Sequence, residues 1–234
     1  MGLRFCLSIL IAVALSSCDE PQGIQPSVTS RPAAASEPKV VEIAPGLRID
    51  YRVPQVEVDG EIALREGALE LFAYAKAPTP KEHESIVILR TPPHSIYQTL
   101  GLIGIMPGHP MKYFPEEKKV RPPTGDAVDV FVRYKKKGRV VEESACDWMI
   151  DVDKKLPMAR THWLFTGSER LGDGSFAADV EGTVVTVVDF ESSLLAMPDL
   201  HSESDSELWL RANTAVIPGV GTPVTLILRA ATKS

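Results

Sequence analysis

The apolar positions of this chain recur mostly every second residue, the period of a strand with one face toward a core. Val56 and Val58 begin such a run and Glu61–Leu64 continues it. Leu69, Leu71 and Ala73 alternate again. Gly67, between the two runs, shifts the phase by one and predicts a turn or bulge. Ser85–Arg90 (SIVILR) is an unbroken apolar run of strand length. Ala127–Tyr134 (AVDVFVRY) puts Val128, Val130 and Val132 on one face. Lys135, Lys136, Lys137 and Gly138 then make a turn and Arg139–Glu142 returns, which is a hairpin pattern. Thr183–Phe190 (TVVTVVDF) is rich in β-branched residues and predicts a strand buried on both faces. Glu207–Ala212 and Val224–Arg229 (VTLILR) complete the strands.

One segment has helical period. Thr91 suits an N-cap and Pro92 the first helical position, where its missing N–H is not needed. Ile96, Leu100 and Ile103 follow at i, i+4 and i+7 as one apolar stripe, and Gly104 and Pro107 end it. The helix is predicted over about 92–103. Short helical turns are predicted near Ser144–Met149 and Ser192–Ala196. The expected fold is α+β and β-rich: a mainly antiparallel sheet with one helix packed on it. There is no βαβ alternation, internal repeat or heptad, and the strand order is not legible.

The chain begins differently. Arg4 is a short positive segment, and Phe5–Leu15 is free of charge. That run is too short to span a bilayer, which needs about 20 residues, and fits the apolar region of a signal peptide over 1–17. It ends in Leu15-Ser16-Ser17-Cys18, which resembles a bacterial lipobox. The expectation is lipid attachment at Cys18, with two or more acyl chains making the anchor effectively permanent. Asp19 resembles an inner-membrane retention signal whose use differs between bacterial groups, so the choice of membrane stays open. Residues 18–39 hold four prolines and few large apolar side chains, which predicts a tether with a reach of about 60 Å. One domain is expected over 40–234.

Charge and cysteine count narrow the function classes. The formal charge is −6, and loss of Arg4 with the leader makes it −7. An acidic chain argues against a nucleic-acid partner. Of three cysteines, Cys6 leaves with the leader and Cys18 carries lipid, so Cys146 is the remaining thiol. It can form no internal disulfide and cannot hold an iron–sulfur cluster alone. Cys146 reads as a small, half-buried apolar residue.

Several stretches together resemble the YdjY-domain family, a set of exported bacterial proteins well represented among planctomycetes. They are LREGALELFA (64–73), KEHESIV (81–87), LGLIGIMPGHP (100–110), PPTGDAVDV (122–130), Asp147-Trp148, HWLFTGS (162–168), ADVEG (178–182) and IPGVGTPVTLIL (217–228). Order and spacing fit over about Val56 to Arg229. The resemblance implies an exported envelope protein and brings no reaction with it. Some members carry a ferredoxin-like label, from which this chain departs because the cluster cysteines are missing.

The most chemical-looking stretch is Glu82-His83-Glu84-Ser85, before a buried strand. In extended chain Glu82 and Glu84 share one face, and His83 and Ser85 the other. A carboxylate pair suits a divalent metal or acid–base work, and a His beside a hydroxyl suits a base and nucleophile. The competing reading is a solvated loop bonded to backbone. No GxSxG or HExxH motif is present. His94, His109, His162 and His201 lie at no metal-ligand spacing. Thr166-Gly167-Ser168 with Asp179 and Glu181 forms either a polar pocket or ordinary turns. Lys135–Arg139 reads as a solvated hairpin tip, and Gly219-Val220-Gly221 as a turn. The acidic run Asp199, Glu203, Asp205 and Glu207 lacks the EF-hand order. Trp148, Trp163 and Trp209 read as core or rim aromatics.

The leading expectation is a non-catalytic, lipid-anchored module of the bacterial cell envelope, facing the periplasm or exterior. Its partners are the membrane through Cys18 and an envelope protein or polymer, with no cofactor. The alternative is a metal-assisted or His-based enzyme centred on His83 with Glu82 or Glu84.

Overall fold

The computed structural model describes residues 39–78, 80–202, 204 and 208–231. The expected leader over 1–17, Cys18 and the tether up to residue 38 lie outside the described residues. So do Glu203, Asp205 and Glu207 of the acidic run.

In chain order, β1 (Val40–Ala44), β2 (Leu47–Asp50), β3 (Gln55–Ile62) and β4 (Leu71–Ala75) precede a 3₁₀ turn over Glu82–Glu84. β5 (Ser85–Leu89) leads into helix α1 (Pro93–Leu102). The short strands β6 (Pro107–His109), β7 (Lys112–Phe114), β8 (Lys119–Arg121) and β9 (Thr124–Gly125) follow. The long hairpin is β10 (Ala127–Lys136) and β11 (Arg139–Ser144), ending in a 3₁₀ turn, Ala145–Trp148. Then come β12 (Met149–Asp151), β13 (Leu156–Pro157), β14 (Trp163–Phe165) and helix α2 (Ala177–Glu181). β15 (Thr183–Thr186), β16 (Leu195–Ala196), β17 (Leu210–Ala212) and β18 (Pro223–Ala230) complete the set.

β3, β18, β10, β14, β16, β15, β4 and β5 pair in that order, and β5 returns to β3. The fold is β-rich as expected, but the sheet closes into an eight-stranded barrel instead of lying open. β4–β5 and β15–β16 are parallel, and the other pairs of the ring are antiparallel. The alternation of apolar residues says which face points inward and nothing about which strands meet, so closure was not legible from it.

β3 makes the closure. Gln55–Val58 pair with β2, Gly60–Ile62 pair with β5, and β18 runs along the opposite edge. At Gly60 the backbones approach so closely that a Cβ would lie 2.6 Å from the Ile88 carbonyl oxygen and 2.8 Å from Leu89 Cδ2. A residue without a side chain is required where strands cross at that distance. β1 and β2 extend the sheet beyond β3, and β11 extends it beyond β10.

The hairpin matches its pattern. Val128, Val130, Val132 and Tyr134 face inward, and the neighbouring Val56, Val58, Leu226 and Leu228 do the same. They join Phe72, Trp148, Trp163 and Phe165 in one core. Lys137 and Gly138 both have positive φ, as a two-residue hairpin turn of matching twist requires.

α1 begins one residue later than predicted. Pro92 is the N-cap with ψ 145°, because Pro93 behind it disfavours helical backbone at residue 92. Thr91 contributes no cap. The cap comes instead from Asp179 of α2, whose Oδ1 accepts the His94 backbone N–H at 2.9 Å. Ile96 and Leu100 bury the predicted stripe. The turn at Ala145–Trp148 is where expected. Ser192–Ala196 is not helical, because Leu195–Ala196 is the strand that links β14 to β15. The Thr183–Phe190 run is strand only as far as Thr186, and α2 and β1–β2 had no clear period in the sequence.

Candidate functional site

An open groove of about 970 Å³ lies on the barrel's flank. It is bounded by the Pro45–Gly46 turn between β1 and β2, by Asp59–Glu61 of β3, and by Arg90 after β5. Arg133–Lys135 of β10, Val140 of β11 and the start of β18 complete it. Its volume lies at the upper end of small-ligand sites, about 300–1,000 Å³.

A lattice of ion pairs stiffens the surface under and beside the groove. Arg48 of β2 grips Asp59 through both Nη atoms, at 2.8 and 2.6 Å. Arg133 of β10 donates to Glu57 at 2.8 Å and to Glu142 of β11 at 3.0 Å. Arg229 of β18 ties Glu142 at 2.7 Å and Gln55 at 2.6 Å. Bidentate and multiply shared pairs of this kind fix geometry better than single ones. The Arg48 guanidinium holds the Asp59 carboxyl below its usual range.

The sequence-predicted site does not assemble as expected. Glu82, His83 and Glu84 form a 3₁₀ turn, not an extended segment, so Glu82 and Glu84 no longer share a face. The His83 side chain is 72% exposed and pairs with Glu84 at 3.1 Å. Ser85 is fully buried, and its hydroxyl donates to the Val87 carbonyl at 3.2 Å. The His and the hydroxyl therefore point apart.

What the turn does assemble is an ion-pair corner. Lys81 Nζ lies 2.8 Å from Glu70 and 3.6 Å from Glu84, and sits over the Phe190 ring at 4.7 Å. Burial, with the neighbouring Glu84, raises the Glu70 carboxyl above its usual range despite Lys81. Among the described residues no three His, Cys, Asp or Glu side chains converge as a metal site. Here an ammonium fills the space between two carboxylates. His83→Ala is expected to leave stability within about 0.5 kcal/mol, since the side chain is exposed. Lys81→Met, which strands the buried Glu70, is expected to lose about 2 kcal/mol by urea unfolding. Equal effects would contradict this division of roles.

The other candidates hold structure. His94 Nδ1 pairs with Asp179 Oδ2 at 2.9 Å, beside the helix cap. Ser168 Oγ accepts from the Ala178 N–H at 3.0 Å, and Thr166 Oγ1 donates to the Ser193 carbonyl at 2.6 Å. Glu181 accepts from Ser192, so this stretch is bonded loop, not a free polar pocket. His109 lines a cleft of about 170 Å³ with Lys112, Glu169 and Glu191. His162 is half-buried. His201 stacks on Trp209 at 3.9 Å, and burial lowers its pKa. Trp148 and Trp163 are core, and Trp209 is rim. Cys146 is fully buried, not half-buried, within the core.

The model of the YdjY domain matches residues 47–229. The chain belongs to the YdjY-domain family. No curated protein and no solved structure matches it. The matched span covers the YdjY domain's whole barrel apart from the last residue of β18, and it holds nearly every residue that lines the groove. Sequence reasoning missed the groove because its residues come from four separate strands, one turn and the segment after β5. The available signal was the outward period of β3 and β10, where Glu57 and Asp59, and Arg133 and Lys135, occupy alternate positions.

Proposed function

We propose that the chain is a lipid-anchored module of the bacterial cell envelope whose YdjY domain binds an extended ligand in the flank groove. The observation that carries this reading is the groove itself: about 970 Å³, open to solvent, with ion pairs bracing the strands that line it. Braced strands lose little freedom when a ligand settles on them, which favours binding. The anchor half of the proposal rests on Leu15–Cys18 and the proline-rich segment that follows. Acyl chains on Cys18 hold the chain at the membrane, and the tether lets the groove reach a neighbouring molecule of the envelope.

Two measurements on the full chain test it. Cys18→Ala is expected to move the chain from the membrane to the soluble fraction. A photo-reactive side chain at position 140, in the groove, is expected to give a discrete adduct in intact cells, and one at position 156 is not. Val140 and Leu156 are comparably exposed, at 64% and 60%, so exposure alone does not separate them. Membrane retention of Cys18→Ala, or the same adducts from both positions, would sink the proposal.

A further inference from the structure

We infer that the groove selects an extended acidic peptide, a segment of a partner protein; this rests on the groove reading above. The lining carries Arg90, Arg133 and Lys135 against Asp59 and Glu61, a positive balance on a chain of formal charge −6. The inner charges are already matched. Asp59 is held by Arg48, and Arg133 is divided between Glu57 and Glu142. Two cations are left for a ligand. Lys135 has no carboxylate within ion-pair distance among the described residues. Arg90 is 85% exposed and meets Glu61 at 3.4 Å. Such an exposed pair is weak, so an incoming carboxylate displaces Glu61 at little cost.

The lining also carries apolar surface: Pro223 lies beside Lys135 on one side, Val140 pairs with Lys135 on the other, and Pro45 lies in the turn between β1 and β2. An extended peptide points successive side chains to opposite faces. One that alternates acidic and small apolar residues can rest one face on Val140 and Pro223 while its carboxylates reach the rim. A sugar chain fits less well. The one aromatic in the lining, Tyr134, is 5% exposed, with its hydroxyl committed to Glu143 and its ring edge-on to Trp148. No aromatic face is offered for a sugar ring.

The probe is a fluorescein-labelled decapeptide alternating glutamate and valine, titrated with the full chain and read by anisotropy. Binding is expected, weakening between about 50 and 300 mM salt as exposed charges are screened. Lys135→Glu and Arg90→Glu are each expected to reduce affinity about tenfold. Both variants are expected to keep the wild-type urea midpoint, because neither side chain holds a buried partner. Failure to bind the acidic peptide overturns the inference. So does unchanged affinity in both variants, equal binding of a lysine–valine decapeptide, or tighter binding of polygalacturonate. A crosslink at position 140 without peptide binding removes the acidic class and leaves the groove; absence of both removes the two together.

Discussion

Gly60→Ala is expected to lower the stability of the domain by about 3 kcal/mol, the upper part of the range for overpacking a tight site. The added methyl would meet the Ile88 carbonyl oxygen at 2.6 Å and Leu89 Cδ2 at 2.8 Å. The leucine tip can move, but the carbonyl belongs to β5 and is fixed by the ladder that closes the barrel. Relief requires β3 and β5 to separate at Gly60–Ile62, the whole of their contact. For a domain of this size the loss corresponds to a fall in Tm of about 6–12 °C. Gly101→Ala is the control. A Cβ there meets nothing within 4 Å, and the residue sits inside α1, so alanine is expected to stabilise by up to about 1 kcal/mol. Urea unfolding of the two variants beside the wild type decides the matter. A Gly60→Ala chain as stable as its parent would mean that closure at this seam is not tight.

The same seam shows what the sequence could and could not say. Period two identified most of the main strands, and the Val128, Val130 and Val132 face was correct because burial of one face acts on each residue separately. Ring closure depends on β3 exchanging β2 for β5 halfway along its length, and no local pattern encodes an exchange of partners. The short links β14 and β16 were illegible for the same reason: two or three residues carry no period, and their neighbours hold them in place. The helix starts one residue late because of Pro93, but its capping carboxylate, Asp179, was illegible because it comes from a segment 85 residues away in the chain.

The geometry of the candidate stretch departs from expectation in a related way. The face-sharing of Glu82 with Glu84 and of His83 with Ser85 requires extended chain, and a single 3₁₀ turn rotates the His away from the hydroxyl, closer to the competing reading of a solvated loop. The groove was assembled from charges that, taken one at a time, looked like solvated strand faces. Arg48, Glu57, Asp59, Arg133, Glu142 and Arg229 become a lattice only when strand order is known. Matching them leaves Lys135, Arg90 and the Glu61 that Arg90 meets, a remainder with one more positive than negative group.

Glu143→Ala is expected to cost about 3 kcal/mol, although the residue lies on a hairpin beside solvent. Its Oε2 accepts from Trp148 Nε1 at 2.9 Å and from the Tyr134 hydroxyl at 2.9 Å, and its Oε1 accepts from Lys136 at 2.9 Å. Trp148 is fully buried and Tyr134 is 5% exposed, so alanine leaves two donors with no partner where water has little access. Each such loss costs about 1–3 kcal/mol. Glu143→Gln keeps one acceptor oxygen and is expected to lose less. Acid supplies the independent check. Burial opposes ionisation of Glu143, but the bonds from Lys136, Trp148 and Tyr134 outweigh it and hold the carboxyl below its usual range. A carboxyl lowered in the folded state stabilises fully above its unfolded value of about 4.3, and loses that contribution as pH falls through the lower folded value. The advantage of wild type over Glu143→Gln is therefore expected to hold from pH 7 to about 5 and to shrink below about 4. An advantage that stays constant into acid would show that the carboxylate's charge contributes nothing, and that shape alone keeps Tyr134 and Trp148 behind the groove wall.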